Sequence, residues 1–231
     1  MTELLLFPML SFRLVRNLSS LPHVTEGLRV IKKISRFLQV TFDIFVTMDT
    51  KKKLILYIKK HSFKHSDKSI FRLSSGQKSN FYFNLKTSTY SSEGQHLIGS
   101  LVFNKIQQLK LKPKAIGGLT LGADPIAIAT AYHSYLKNNP LDAFVIRKEP
   151  KKHGMKLQIE GHIKAGDKVV ILDDVVTTGQ STIKAIKLAE KAKLKIMAVI
   201  ILLDRCEQNG KQNIEKCGYP VHSILTIRDF V

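Results

Sequence analysis

Four consecutive apolar residues, Val169, Val170, Ile171 and Leu172, run directly into two adjacent carboxylates, Asp173 and Asp174. A run without polar alternation needs apolar cover on both faces, which is the habit of a central parallel strand. Thr177, Thr178 and Gly179 follow, and residues 181–192 carry a helical pattern. Ligands of open α/β sheets bind at the carboxyl ends of such strands. A turn leading into a helix aims backbone N–H groups and the helix dipole at an anion. Gly179 lets the backbone approach closely, and Thr177, Thr178 and Ser181 add hydroxyl donors. The two acids repel phosphate and suit hydroxyl groups, or a cation, beside it. A ribose phosphate offers both features. The same pattern also fits a plain strand–turn–helix junction with incidental acids. It is neither a GxxxxGK[ST] nor a GxGxxG phosphate loop.

The rest of the chain alternates in the same way. Asp49 and Thr50 can cap a helix bearing Leu54, Ile55, Tyr57 and Ile58. Residues 81–85 alternate as a strand. Ser92 and Gln95 form a capping-box pattern that opens a helix through Leu109. Strands are expected at 115–118, 143–146, 196–203 and 223–227. A helix opening at Asp124 and Pro125 is expected to end near Leu136. This order predicts an α/β fold with a central parallel sheet flanked by helices. The 231 residues, 44% hydrophobic, suffice for one well-buried domain.

Residues 1–47 read differently, with an apolar run at 4–10 followed by Arg13, Arg16, Arg29 and Arg36. A targeting segment, a poorly ordered extension and a misassigned upstream start compete as readings. The charge follows the apolar run, the reverse of a signal peptide. Met48 opens a clean segment, so the expected domain is 48–231.

The net charge of +19 favours polyanionic partners, yet the lysines are spread along the whole chain. Most of them are expected to solvate the surface. Cys206 and Cys217 make no disulfide scaffold and no CxxC pair, which fits a reducing cytoplasm. No apolar run approaches the roughly 18 residues of a membrane span. His61 and His65 have helical metal-ligand spacing but sit among lysines, so no metal site is expected there.

Three more segments bear on chemistry. Residues 147–161 (RKEPKKHGMKLQIEG) gather Arg147, Lys148, Lys151, Lys152 and His153, with Gly154 allowing movement. They read either as a solvated loop or as a lid bringing cations to a pyrophosphate. His153 can also donate a proton. Residues 71–86 (FRLSSGQKSNFYFNLK) read as a hairpin. Residues 202–210 (LLDRCEQNG) put Arg205 at a strand end, suited to bidentate capture of a carboxylate. The bland alternative pairs Arg205 with Asp204 or Glu207 at the surface.

Residues 169–182 (VVILDDVVTTGQST) resemble the phosphoribosyl-pyrophosphate signature of type I phosphoribosyltransferases. The lid pattern RKxxKxHG, the hairpin F-x-L-x-S-G-x-x-S-x-x-Y and the segment GGLTLGADP (117–125) resemble the orotate branch of that family. The resemblance runs from about Thr50 to Val231. It implies a type I phosphoribosyltransferase fold with a small hood built from the N-terminal hairpin and C-terminal segments. It implies transfer of ribose 5-phosphate from 5-phosphoribosyl-1-pyrophosphate to orotate, with orotidine 5′-phosphate and pyrophosphate as products of pyrimidine biosynthesis.

The resemblance also implies roles. Asp173 and Asp174 would face the ribose hydroxyls. Val175, Val176, Thr177, Thr178, Gly179, Gln180 and Ser181 would wrap the 5-phosphate. Arg147, Lys148, Lys151 and His153 would contact pyrophosphate, with Arg147, Lys151 and His153 reaching into the partner's site of a homodimer. Tyr82, Phe83, Thr177 and Arg205 would frame orotate. Lys151, His153, Asp173 and Asp174 would be catalytic. Mg²⁺ would be held mainly by substrate and water, with no direct protein ligand. Many relatives carry Lys where this chain has Ser74, and other branches carry a Tyr-Lys pair where it has Leu121 and Gly122. A purine phosphoribosyltransferase and a nucleotide-sensing, nucleic-acid-binding regulator are the alternatives. Arg205 and the cationic lid speak against the first, and the lid against the second; no nucleic acid and no membrane are expected as partners.

Overall fold

The computed structural model of the chain describes residues 25–68, 70–72, 78–149 and 158–231. Two compact units are present, Met1–Met48 and Asp49–Val231. Helix α1 (Thr25–His61) contains no Gly or Pro after Gly27, so nothing in the chain interrupts it. In the first unit its exposed side chains include Ile31, Ile34, Phe37 and Leu38. The expected cap at Asp49 is therefore a helix-interior residue. Its Oδ2 lies 2.7 Å from Lys53 Nζ, an i,i+4 pair, because the helix already runs through this point. The readings of residues 1–24 fall outside the described residues.

In the second unit, strands β5 (Ala115–Leu119), β6 (Asp142–Ile146), β7 (Ile159–Gly161), β8 (Lys168–Val176), β9 (Lys195–Asp204) and β10 (Val221–Thr226) form one sheet. Its order is β10-β9-β8-β5-β6-β7. All neighbours are parallel except β6 and β7, which pair antiparallel through Ile146 and Ile159. The connection from β5 through α4 (Ala123–Leu136) leads to β6 on one side. The connection from β8 through α5 (Gln180–Lys191) leads to β9 on the other. Chains thus diverge between β5 and β8, leaving a crevice at their carboxyl ends.

The expected double burial of β8 is clear in its packing. Val170 and Leu172 join Leu54 and Ile58 of α1, Ile98 and Ile106 of α3 (Ser92–Gln108), and Ile126 of α4. Val169 and Ile171 face the other way, onto Ala185, Ile186 and Ala189 of α5 and Ile214 of α6 (Gly210–Glu215). Successive residues of a strand point to opposite faces, so the VVIL run feeds both cores.

The cap of α3 is Ser91, not Ser92. Ser91 is extended and its Oγ accepts from the Gly94 N–H at 3.1 Å, so Ser92 already belongs to the first turn.

The expected hood is present. β1 (Phe63–His65) pairs antiparallel with β4 (Phe81–Phe83), and β2 (Phe71–Arg72) with β3 (Lys78–Ser79). The Phe230 ring lies 5.5 Å from Phe63 and 5.2 Å from Phe83 between centroids, so the C-terminal segment packs on the hairpin. A short helix, α2 (Lys86–Thr89), leads from the hairpin toward α3. Among the described residues no helix is long and apolar enough to cross a membrane.

Replacing Ile171 by Ala should cost about 2–5 kcal/mol, because the side chain is fully buried against α5. Urea unfolding would measure it as a lower midpoint at unchanged slope.

Candidate active site at the carboxyl edge of the sheet

β8 delivers its acids into the crevice between β5 and β8. Asp173 is 6% exposed, and its Oδ2 accepts a short hydrogen bond from the Thr182 hydroxyl in the first turn of α5. Asp173 Oδ1 accepts the Asp174 N–H at 3.0 Å, and Asp174 Oδ1 accepts the Val175 N–H at 2.9 Å. These bonds hold both carboxylates close to the strand end. They do not fully offset desolvation. Burial, then the Asp174 charge, raises the Asp173 carboxyl from 3.8 to about 7. Burial also raises Asp174, while hydrogen bonds and the positive charge of Lys86 pull it back. Asp174 therefore ionises first, and Asp173 holds its proton longer.

The loop after β8 is buttressed from outside. Gly179 has φ +82°, in the left-handed region. A Cβ there would lie 2.7 Å from the Gly210 carbonyl oxygen and 2.8 Å from Ile214 Cγ1. Asn213 Nδ2 donates to the Thr178 carbonyl at 3.1 Å and to the Gln208 carbonyl at 3.2 Å. The α6 turn thus holds the loop from behind. Val176 is 1% exposed and packs in the core, so it contributes register rather than a contact surface. Val175 is half-buried, and Gln180 and Ser181 are exposed at the start of α5.

Across the crevice stands the β5 loop, with a cis peptide between Thr120 and Leu121. A Cβ on Gly122 would lie 2.4 Å from Asp174 Oδ1, so this position and the Asp174 carboxylate share one space.

Arg205 is 4% exposed at the end of β9, not a surface residue. Its Nε donates to Glu207 Oε2 at 3.0 Å and its Nη2 to Glu207 Oε1 at 3.1 Å. Nη2 also reaches Ser79 Oγ at 3.0 Å and the Phe81 carbonyl at 3.2 Å. The guanidinium lies 5.7 Å from the Phe83 ring centroid. Of the two readings, the pairing with Glu207 is the one present, though buried and not at the surface. Glu207 takes the Nε–Nη2 edge, and among the described residues Nη1 is the nitrogen left over. These bonds tie β9 to the hairpin that carries Tyr82 and Phe83. Tyr82 is 40% exposed and stacks 5.7 Å from Phe71 between centroids.

Arg147 and Lys148 follow β6. Arg147 Nη1 lies 3.0 Å from Glu160 Oε1 on β7, an in-chain partner for a residue expected to serve a second subunit. Lys148 is exposed. Lys151, Lys152, His153, Gly154 and Ser74 lie outside the described residues.

Thr182, Lys86 and Asn213 were not singled out from sequence, whereas Glu207 was named there as a possible partner of Arg205. Thr182 carried a signal, a hydroxyl one turn into the helix after the acid pair. Lys86 and Asn213 are joined to the site only by tertiary contact. The donor set suits a divalent cation shared with a ligand. It offers two carboxylates, and among the described residues no cluster of three or more His, Cys, Asp or Glu could enclose a metal ion.

A crevice at a switch point, paired acids and a hydroxyl-rich loop entering a helix together define a phosphoribosyltransferase domain, and residues 88–220 match the family described as phosphoribosyl transferase domain. The chain is 45% identical over 181 residues to the orotate phosphoribosyltransferase of Aquifex aeolicus (strain VF5), covering 78% of this chain and 97% of that protein. The orotate phosphoribosyltransferase of Mycobacterium tuberculosis H37Rv, solved with Fe(III) dicitrate, matches at a TM-score of 0.68 and 31% identity, covering 78% of this chain and 98% of that one. The same protein solved with 5-phospho-alpha-D-ribosyl 1-diphosphate matches at 0.64 and 26% identity, covering 79% and 92%. The chain belongs to the orotate phosphoribosyltransferase family.

The raised Asp173 carboxyl has a sign that can be tested. Between pH 4 and 7 the folded chain keeps a proton there that the unfolded chain has released. The stabilisation is complete below 3.8 and is lost as pH rises toward 7. An Asp173→Asn chain should therefore melt above wild type at pH 8 and match it near pH 4. Scanning calorimetry at the two pH values checks this.

Proposed function

We propose that the crevice between β5 and β8 is the active site and that it carries out the family's reaction in this chain. The chain is a pentosyltransferase that moves ribose 5-phosphate from 5-phosphoribosyl-1-pyrophosphate to orotate. The bond from the anomeric carbon to pyrophosphate breaks as the orotate ring nitrogen forms its own bond there. The observation that carries this reading is the pairing of a buried and a half-buried carboxylate with an anion-ready loop on one strand end. The loop from Thr177 to Ser181 receives the 5-phosphate through its N–H and hydroxyl groups. Asp173 and Asp174 accept from the ribose hydroxyls and hold the sugar in line for attack. Mg²⁺, shared with substrate oxygens, would supply charge neutralisation beside these two acids. Tyr82 and Phe83 flank the flat ring, and Arg205 offers Nη1 to its carboxylate.

The lid residues Arg147, Lys148, Lys151 and His153 supply cations to the departing pyrophosphate. In our reading Arg147, Lys151 and His153 act in the site of a second copy. Support for a homodimer comes from α4. Ile128, Tyr132 and Tyr135 are 58%, 67% and 70% exposed at helical spacing on one face. The helix holds no Lys or Arg, in a chain of net charge +19. A strongly basic chain meets its own copy with least repulsion at such a place. We take 48–231 as the catalytic domain. We place the reaction in the cytoplasm, where Cys206 and Cys217 stay as the free thiols seen here.

Orotate should be consumed in the presence of 5-phosphoribosyl-1-pyrophosphate and Mg²⁺, while uracil and hypoxanthine should not. Turnover of hypoxanthine instead would overturn the assignment. Lys151→Ala should lower turnover about 100- to 1,000-fold. Arg205→Ala should lose orotate affinity while keeping that for 5-phosphoribosyl-1-pyrophosphate. Mixing the Lys151→Ala and Arg205→Ala chains should restore activity, because a mixed dimer owns one site with both residues intact. No recovery in demonstrated mixed dimers would place each lid over its own site.

A further inference from the structure

We infer that Glu207 is a positioning residue for orotate, acting through Arg205; this rests on the reading of Arg205 as the carboxylate-binding residue. Glu207 is two positions beyond Arg205, yet its carboxylate folds back onto the guanidinium. The backbone arranges this at some expense. Cys206, Gln208 and Asn209 all have φ +53°, a region that residues other than glycine seldom occupy. The Cys206 N–H donates to Asp204 Oδ1 at 2.8 Å and fixes the start of the turn. Strained backbone persists where surrounding structure over-determines it, and such places cluster at ligand clamps.

The result is a guanidinium with one side occupied. Glu207 grips Nε and Nη2, at 3.0 and 3.1 Å. Ser79 and the Phe81 carbonyl accept from Nη2 on the hairpin side. A freely rotating arginine could present either edge to any carboxylate or phosphate. Clamped this way it leaves, among the described residues, Nη1 to present, in a fixed relation to the backbone of β4, which carries Tyr82 and Phe83. Glu207 thus sets the angle and distance at which a carboxylate-bearing ring can meet its cation.

The test is steady-state kinetics on full-length Glu207→Gln and Glu207→Ala chains, with both substrates varied. The Michaelis constant for orotate should rise about 10- to 100-fold in Glu207→Ala, as expected for losing hydrogen bonds to a charged group. Glu207→Gln keeps one acceptor and should fall between this and wild type. The constant for 5-phosphoribosyl-1-pyrophosphate should stay unchanged in both, and calorimetric titration with that substrate shows that the variants are folded. An orotate constant that stays the same or falls would overturn the proposal, since Glu207 would then be idle or a competitor. Equal rises for both substrates would also overturn it, pointing to general damage. Wild-type assays test the orotate reading itself, so a chain that ignores orotate is recognised before any variant is compared.

Discussion

Everything at this site depends on withdrawing two neighbouring carboxylates, Asp173 fully and Asp174 in part, from water at the end of the most enclosed strand. Asp173 and Asp174 cannot both be charged there without compensation, and the protein provides only part of it. Thr182 and two backbone N–H groups satisfy oxygens, and Lys86 contributes charge from the hairpin side. The remainder of the cost is a demand for hydroxyl donors or a cation. In the proposed reaction, a sugar that arrives with a divalent ion would meet that demand.

The sheet topology makes this demand specific. Because the chain diverges between β5 and β8, the acids face an open crevice rather than a helix. On one rim the α5 loop is held by Asn213 and by the absence of a side chain at Gly179. On the other, Gly122 leaves room for Asp174. A lysine at position 122, found in other branches, would have to share that room. Here Lys86 supplies a positive charge near Asp174 from a different segment.

The parts legible in the sequence were those with strong local pattern. The VVIL run announced a strand buried twice, and the DDVVTTG order announced both the acids and the loop. β1, β2, β3 and β7 have two or three residues each, too few for any periodicity to register. The continuous α1 was hidden because Asp49 and Thr50 have good capping chemistry, which a preceding helical segment overrode. Arg205 was visible as a charged residue at a strand end. Its pairing with Glu207 was one of two open readings, but its burial and its bonds to the hairpin were not visible, since they depend on a segment more than a hundred positions earlier in the chain.

The β6–β7 hairpin has a consequence for how such a protein changes over time. The Arg147 N–H donates to the Gln158 carbonyl at 2.8 Å, and Gln158 Nε2 returns a bond to the Arg147 carbonyl at 3.2 Å. These two bonds clasp the ends of β6 and β7 together at the sheet edge. The ends of the intervening connection are thus held by the clasp itself. Lengthening, shortening or rewriting the connection between these two residues leaves the sheet almost untouched. Lineages can thus vary it as an independent module, with little exposure to the usual exchange of stability for activity.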